Sequence, residues 1–175
     1  MPKQRLQAVI RDIKDFPKEG IVFKDITPVL KDPALCKDIV EALYQQFSSQ
    51  KIDALVGVES RGFLFGVMLA QRLNVPFVPV RKAGRLPYKT VSFNYDLEYG
   101  SAVMEIHEDA LAVGSRVLIH DDLLATGGTA VAAAELVKKI GGLVAGFAFI
   151  IELGALKGRN ILQPYAVEIE SIVVY

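Results

Sequence analysis

Asp121 and Asp122 follow the apolar run Val117-Leu118-Ile119-His120 and precede Leu123-Leu124-Ala125-Thr126-Gly127-Gly128-Thr129-Ala130. Each part of this stretch has a chemical use. The small residues from Ala125 to Gly128 let backbone N–H groups close around a phosphate. A helix opening at Thr129 adds unpaired N–H donors and the positive end of its dipole. Thr126 and Thr129 add hydroxyl donors. Paired carboxylates suit acceptance from two vicinal hydroxyls. A phosphate and a diol a few ångströms apart describe a ribose 5-phosphate. The plain alternative is an ordinary strand–turn–helix with a solvated acid pair. An acid pair, a small-residue turn and a helix start in one register favour the phosphate reading. The stretch is neither a GxxxxGK[ST] loop nor a GxGxxG fingerprint.

Such a site needs a strand before it and a helix after it, and the chain supplies both. Leu6, Val9, Ile10 and Ile13 predict an amphipathic first helix over residues 1–15. Phe16-Pro17-Lys18-Glu19-Gly20 breaks it, and Ile21-Val22-Phe23 reads as a short extended piece. Asp32-Pro33 is an N-cap and first helical residue, and Leu35, Ile39, Leu43 and Phe47 predict a helix over 33–49. Then the pattern alternates. Strands are expected at 54–58, 77–80, 103–106, 117–120, 144–151 and about 167–174. Helices are expected at 62–73 and 129–140, with a short one near 154–162. Gly62, Gly66 and Ala70 give the 62–73 helix a face that can lie close to a sheet. Residues 81–100 are polar, aromatic and punctuated by Gly and Pro, as in a long loop or ribbon, and so long a connection is usually functional. Strand–helix alternation predicts an α/β fold with a mainly parallel central sheet flanked by helices. In such sheets ligands bind at the carboxyl ends of the strands.

Composition bounds the function. The 175 residues suit a single domain. Twenty Lys and Arg balance 20 Asp and Glu, which excludes a strongly basic nucleic-acid binder but not a local basic pocket. A mean hydropathy of +0.32 suits strands buried on both faces. Cys36 is the single cysteine, so no internal disulfide forms and a reducing compartment is expected. Charges at Lys3, Arg5, Arg11 and Asp12 leave no room for a signal-peptide core. The apolar stretch from Gly141 to Ile151 is closed by Glu152, short of the ~20 residues a membrane helix needs. A cytoplasmic protein without membrane or nucleic-acid partners is expected. His107 and His120 are the only histidines, and with no Cys pair a structural zinc site is not expected.

The segment around Asp121 resembles the phosphoribosyl pyrophosphate (PRPP) motif of the type I phosphoribosyltransferases. The resemblance extends along nearly the whole chain through Phe16-Pro17, Gly20 to Leu30, Glu59-Ser60-Arg61-Gly62-Phe63, Arg81 to Pro87 and Leu97-Glu98-Tyr99-Gly100. These blocks are similar to the adenine-using branch of that family. The resemblance implies the type I phosphoribosyltransferase fold with a small N-terminal hood over residues 1–32. It implies a PRPP-binding core over 33–175 that includes a mobile loop at about 83–102. It further implies conversion of adenine and PRPP to AMP and pyrophosphate with Mg2+, in a homodimer. His120 departs from the family, which usually has an aliphatic residue there; we expect a strand-end residue without a catalytic role.

By the same resemblance, Ala125, Thr126, Gly127, Gly128 and Thr129 would cradle the 5-phosphate, and Asp121 and Asp122 would bind the ribose hydroxyls. Ser60, Arg61, Arg81, Lys82 and Arg85 would bind pyrophosphate, Arg being suited to bidentate contacts. Without that context, Arg81-Lys82 would be read as a solvated basic turn. Phe23 would stack on the base, with backbone groups of Val22 and Lys24 reading its edge. Mg2+ would be held mainly by substrate and water, without an all-protein cage. Hypoxanthine-guanine members usually carry Asp where Ala125 stands, and that Asp can manage the base's proton. Ala125 cannot, so Glu98 is expected to act as the acid/base, with Tyr99 as part of the lid. The alternatives are a transferase for another nucleobase and a PRPP-sensing regulator without chemistry.

Overall fold

Five successive apolar residues make β3 (Ala54–Val58) a strand buried on both faces. It lies near the middle of a seven-stranded sheet. The structure is a computed structural model that describes residues 2–16, 18–96, 101–166 and 168–175. Ahead of β3 come α1 (Pro2–Val9), β1 (Arg11–Lys14), β2 (Val22–Asp25), a 3-10 turn at Thr27–Lys31 and α2 (Pro33–Phe47). After it come α3 (Gly62–Leu73), β4 (Phe77–Lys82), β5 (Thr90–Asp96), β6 (Ser101–His107) and β7 (Arg116–Leu124). The chain continues with α4 (Gly128–Lys139), β8 (Leu143–Glu152), a 3-10 turn at Gly154–Leu156, α5 (Gly158–Leu162) and β9 (Ile169–Val174). The main sheet has the order β5-β6-β4-β3-β7-β8-β9, and β1 pairs with β2 in a separate two-stranded sheet. From β4 to β9 the pairs are parallel; β4–β6 and β5–β6 are antiparallel.

Helices cover both faces. Leu35, Ile39 and Phe47 of α2, with Phe65 and Leu69 of α3, join Leu55, Leu118 and Ile150 in one core. Ala133, Leu136 and Val137 of α4, with Leu162 of α5, join Val56, Ile119 and Phe147 in the other. Strand residues alternate between the two cores, as a pleated sheet requires. Asp32 caps α2 as expected, its carboxylate accepting from the Leu35 N–H at 3.0 Å, with Pro33 in the first turn. Among the described residues no helix is long and apolar enough to cross a membrane.

Several expectations need correction. The first helix stops at Val9, and Ile13 pairs with Phe23 in the β1–β2 hairpin. That ladder, closed by the Gly20 N–H on the Asp15 carboxylate at 2.8 Å, replaces further helical bonds. Of the two forms expected for residues 81–100, loop or ribbon, residues 90–96 take the ribbon, as a strand hydrogen-bonded to 101–107. The strand expected at 117–120 continues through the acid pair to Leu124, because β8 remains in register beside it as far as Glu152. His120 is accordingly inside a strand and fully buried. Lys157, at φ +55°, divides the helix expected at 154–162 into a 3-10 turn and α5.

Candidate active site

The carboxyl ends of β3, β4 and β7 lie side by side, and the candidate residues gather there. Their cavity has a volume of about 400 Å³ and is lined by Glu59, Ser60, Arg61, Lys82, Tyr95, Asp121, Asp122 and Thr129, among others. That is within the range of ~300–1,000 Å³ usual for small-molecule sites. A cup of about 70 Å³ adjoins it, lined by Asp121 and the run from Leu123 to Ala130. Three larger hollows, of about 770, 660 and 490 Å³, contain none of the candidate residues; the first two are lined mainly by apolar side chains of α4, α5 and β8 or of α2 and α3.

Alternation along β7 sends the two acids to different surroundings. Asp122 is buried and accepts from Arg61 Nε on Oδ2 at 2.5 Å. Its own N–H donates to Asp121 Oδ1 at 2.9 Å. Burial, and then the neighbouring Asp122 carboxylate, push Asp121 well above the usual carboxylate pKa. Hydroxyl donors or a cation arriving there would relieve that penalty. Close approach of α3 makes this possible: a Cβ on Gly62 would stand 2.9 Å from the His120 carbonyl oxygen and 3.0 Å from Asp121 Oδ1. The cup is formed where the chain leaves β7. Gly127, at φ +89°, turns it into α4, whose first turn carries no side-chain cap and so keeps its N–H groups for a ligand. α5 supports the loop from below, with Gly158 against the Ala125 carbonyl and Ile161 against Gly127. Thr129 Oγ1 lies 3.5 Å from the Tyr95 hydroxyl on β5.

Across the cavity, the basic residues are organised by an acid. Glu59 has a side chain only 6% exposed. Its Oε1 accepts from Arg81 Nη2 and Arg85 Nη1, both at 2.8 Å, and its Oε2 from the Lys82 N–H at 2.9 Å. Burial alone would raise its pKa; these donors, Arg81 foremost, overcome burial and hold it at about 2. Arg81 also donates through Nη1 to the Arg85 carbonyl at 2.9 Å. The Glu59–Ser60 peptide bond is cis, and Ser60 opens into the cavity.

Arg61 stands apart from that basic group. Its guanidinium lies 5.0 Å from the centroid of the Phe23 ring while Nε holds Asp122, so one side chain spans from the hairpin to the acid pair. Phe23 also meets Phe16 edge-on, with centroids 5.3 Å apart and planes at 75°. Val22 is exposed, and Lys24 directs its ammonium to Asp12. Glu98 and Tyr99 lie outside the described residues. Sequence reasoning missed Glu59 and Tyr95. An acid directly ahead of Ser60-Arg61 at the end of a buried strand was a usable signal for Glu59; Tyr95 gave none until β5 was placed.

Comparison with known proteins agrees with this geometry. The phosphoribosyl transferase domain model matches residues 25–173, and the chain belongs to that family. Its relatives narrow the class. It is 51% identical over 173 residues to the adenine phosphoribosyltransferase of Cytophaga hutchinsonii, covering 99% of this chain and 96% of the relative. It is 56% identical over 158 residues to that of Methylococcus capsulatus, covering 90% and 92%. Among solved structures, the adenine phosphoribosyltransferase of Thermoanaerobacter pseudethanolicus has a TM-score of 0.95 at 50% identity, with 99% of each chain covered. The Saccharomyces cerevisiae enzyme, solved with an imino-altritol bisphosphate and adenine, has a TM-score of 0.91 at 42% identity, with 98% of each chain covered.

Proposed function

We infer that this chain transfers the 5-phosphoribosyl group from PRPP to adenine, giving AMP and pyrophosphate in purine salvage. The observation that carries the reading is the convergence of the phosphate cup, the acid pair and the Arg61–Phe23 contact on one cavity. Ala125 to Thr129 hold the 5-phosphate through backbone N–H groups and hydroxyls. Asp121 and Asp122 accept from the ribose 2- and 3-hydroxyls, and their charge favours the positive character that develops at C1. Ser60, Arg81, Lys82 and Arg85 receive the departing pyrophosphate. Phe23 provides the apolar face for adenine, and main-chain groups of Val22 and Lys24 read its edge. Arg61 stands between the two halves: it releases Asp122 to the ribose and faces the base or the pyrophosphate. Ala125 has no group for the base's proton, so that role goes to Glu98, with Tyr99 closing over it.

The donor set fits Mg2+ of the kind that substrate brings with it. Among the described residues no group of three or more His, Cys, Asp or Glu side chains forms a cage; of the cavity's carboxylates Glu59 is held by Arg81, Arg85 and the Lys82 N–H, which leaves Asp121 and Asp122. One or two carboxylates completed by phosphate oxygens and water is the usual Mg2+ environment. When bound, the ion neutralises pyrophosphate charge. The same reading assigns residues 1–32 to a hood and 33–175 to the core, and takes the protein to be a cytoplasmic homodimer. Sedimentation tests the last point.

The deciding experiment incubates the protein with PRPP, Mg2+ and equimolar adenine, hypoxanthine, guanine and orotate, and identifies the nucleotide by mass. AMP alone is expected. Another nucleotide would overturn the base pocket and keep the PRPP site. No nucleotide, with PRPP still bound, would identify a sensor.

A further inference from the structure

One contact outside the cavity ties the Phe23 hairpin to the far edge of the main sheet. Tyr175 lies directly beyond β9. Its N–H donates to the Glu152 carbonyl at 2.9 Å, and its carbonyl accepts from the Gly154 N–H at 2.8 Å, so its backbone is fixed. Lys24 Nζ stands 3.9 Å from the centroid of its ring. The same ammonium donates to both Asp12 carboxylate oxygens, at 2.7 and 2.9 Å. Only 11% of the Lys24 side chain is exposed, far less than for a solvated lysine.

The hairpin has few other anchors along its length. Among the described residues neither β1 nor β2 contains a fully buried one, and neither strand pairs with the seven-stranded sheet. Ile10 and Ile26 are buried, but they flank the hairpin at its base. Strand alternation places Phe23 and Lys24 on opposite faces of β2. Phe16 and Arg61 meet the Phe23 ring directly, and what holds Lys24 on the opposite face fixes the strand that carries that ring.

We propose that Tyr175 is a positioning residue for base recognition: its ring seats the Lys24–Asp12 pair, fixes β2 against the main sheet and so sets the face that Phe23 offers to adenine. This rests on the adenine reading of Phe23 given above. The ring, not the hydroxyl, does this work, because an ammonium is attracted to the face of an aromatic ring.

Steady-state kinetics of Tyr175→Phe, Tyr175→Leu and Lys24→Met test the role. Tyr175→Phe should match the unaltered enzyme. Tyr175→Leu and Lys24→Met should raise KM for adenine about 3- to 10-fold, the range a partly desolvated cation–ring contact supports. Both should leave kcat and KM for PRPP unchanged, a split that general loss of structure would not produce. If Tyr175→Leu fails to fold, Lys24→Met tests the same contact. An unmoved adenine KM in the folded variants, or a Tyr175→Phe variant as impaired as Tyr175→Leu, overturns the proposal while AMP formation by the unaltered enzyme keeps the functional reading. An unaltered enzyme that makes no AMP overturns both.

Discussion

Glu59→Gln separates a carboxylate that organises the basic residues from one that merely sits beside them. The carboxamide keeps the shape and one acceptor oxygen for Arg81 and Arg85. Its NH2 then faces the Lys82 N–H that Oε2 now accepts, two donors in opposition. A buried donor left unpaired costs about 1–3 kcal/mol. A second route gives a similar size. The Glu59 pKa falls from 4.5 to about 2, nominally about 3 kcal/mol at 1.36 kcal/mol per pH unit. The cavity is open and Arg85 is half exposed, so screening reduces this to about 1–2 kcal/mol. A carboxylate depressed in the folded state contributes fully above its unfolded pKa. Its contribution fades as pH drops from about 4.5 toward 2. Urea unfolding at pH 7 should therefore place Glu59→Gln about 1–2 kcal/mol below the unaltered protein, with a smaller gap at pH 3. The loosened Arg85 should also raise KM for PRPP about tenfold, equivalent to ~1.4 kcal/mol. Unchanged stability together with an unchanged KM for PRPP would refute the reasoning.

Other perturbations probe separate parts of the molecule. Burial lowers the His120 imidazole from 6.5 to about 4, so the unfolded chain binds the proton first on acidification and stability falls from pH 6.5 toward 4. His120→Leu should remove about 2 kcal/mol of the stability lost between pH 7 and pH 5, read from unfolding curves at those two pH values; parallel losses in both proteins would exclude the histidine. Gly158→Ala drives a Cβ into the Ala125 carbonyl and must displace the phosphate loop. A rise in KM for PRPP of about 10- to 100-fold is expected, and an unchanged value would mean that α5 does not hold the loop. Glu98→Ala should lower kcat by about 10²- to 10⁴-fold while PRPP affinity by calorimetry stays within a few-fold. An unchanged kcat with chemistry rate-limiting would remove Glu98 from the mechanism.

Much of the scaffold was legible because its signals are local. Five apolar residues from Ala54, the Asp32-Pro33 start and the small residues of α3 each determine an element without help from distant parts of the chain. The strand, turn and helix start that form the cup after Leu123 were legible for the same reason, since one continuous stretch builds them. What escaped depends on partners far away in sequence. Ile13 keeps a helical spacing until Phe23 offers a ladder. The end of β7 is set by β8, not by its own acids. Glu59 looks like a solvated loop acid until Arg81 and Arg85 fold onto it, and Arg61 looks like one more pyrophosphate cation until its contacts with Asp122 and Phe23 are in view.

The hairpin that carries Phe23 shares no ladder with the sheet whose strand ends carry the acids, the cup and the cations. Mutations in the hairpin therefore need not disturb the register of β3, β4 or β7. On the proposed reading, in which Phe23 meets the base, this makes the hairpin an exchangeable part. Its loops can lengthen, and its aromatic can be replaced, without rebuilding the strand ends that carry the acid pair and the cup. A lineage, or a designer, can thus explore new nucleobases by grafting at the hairpin's base near Ile10 and Ile26, where buried apolar side chains already supply the joint.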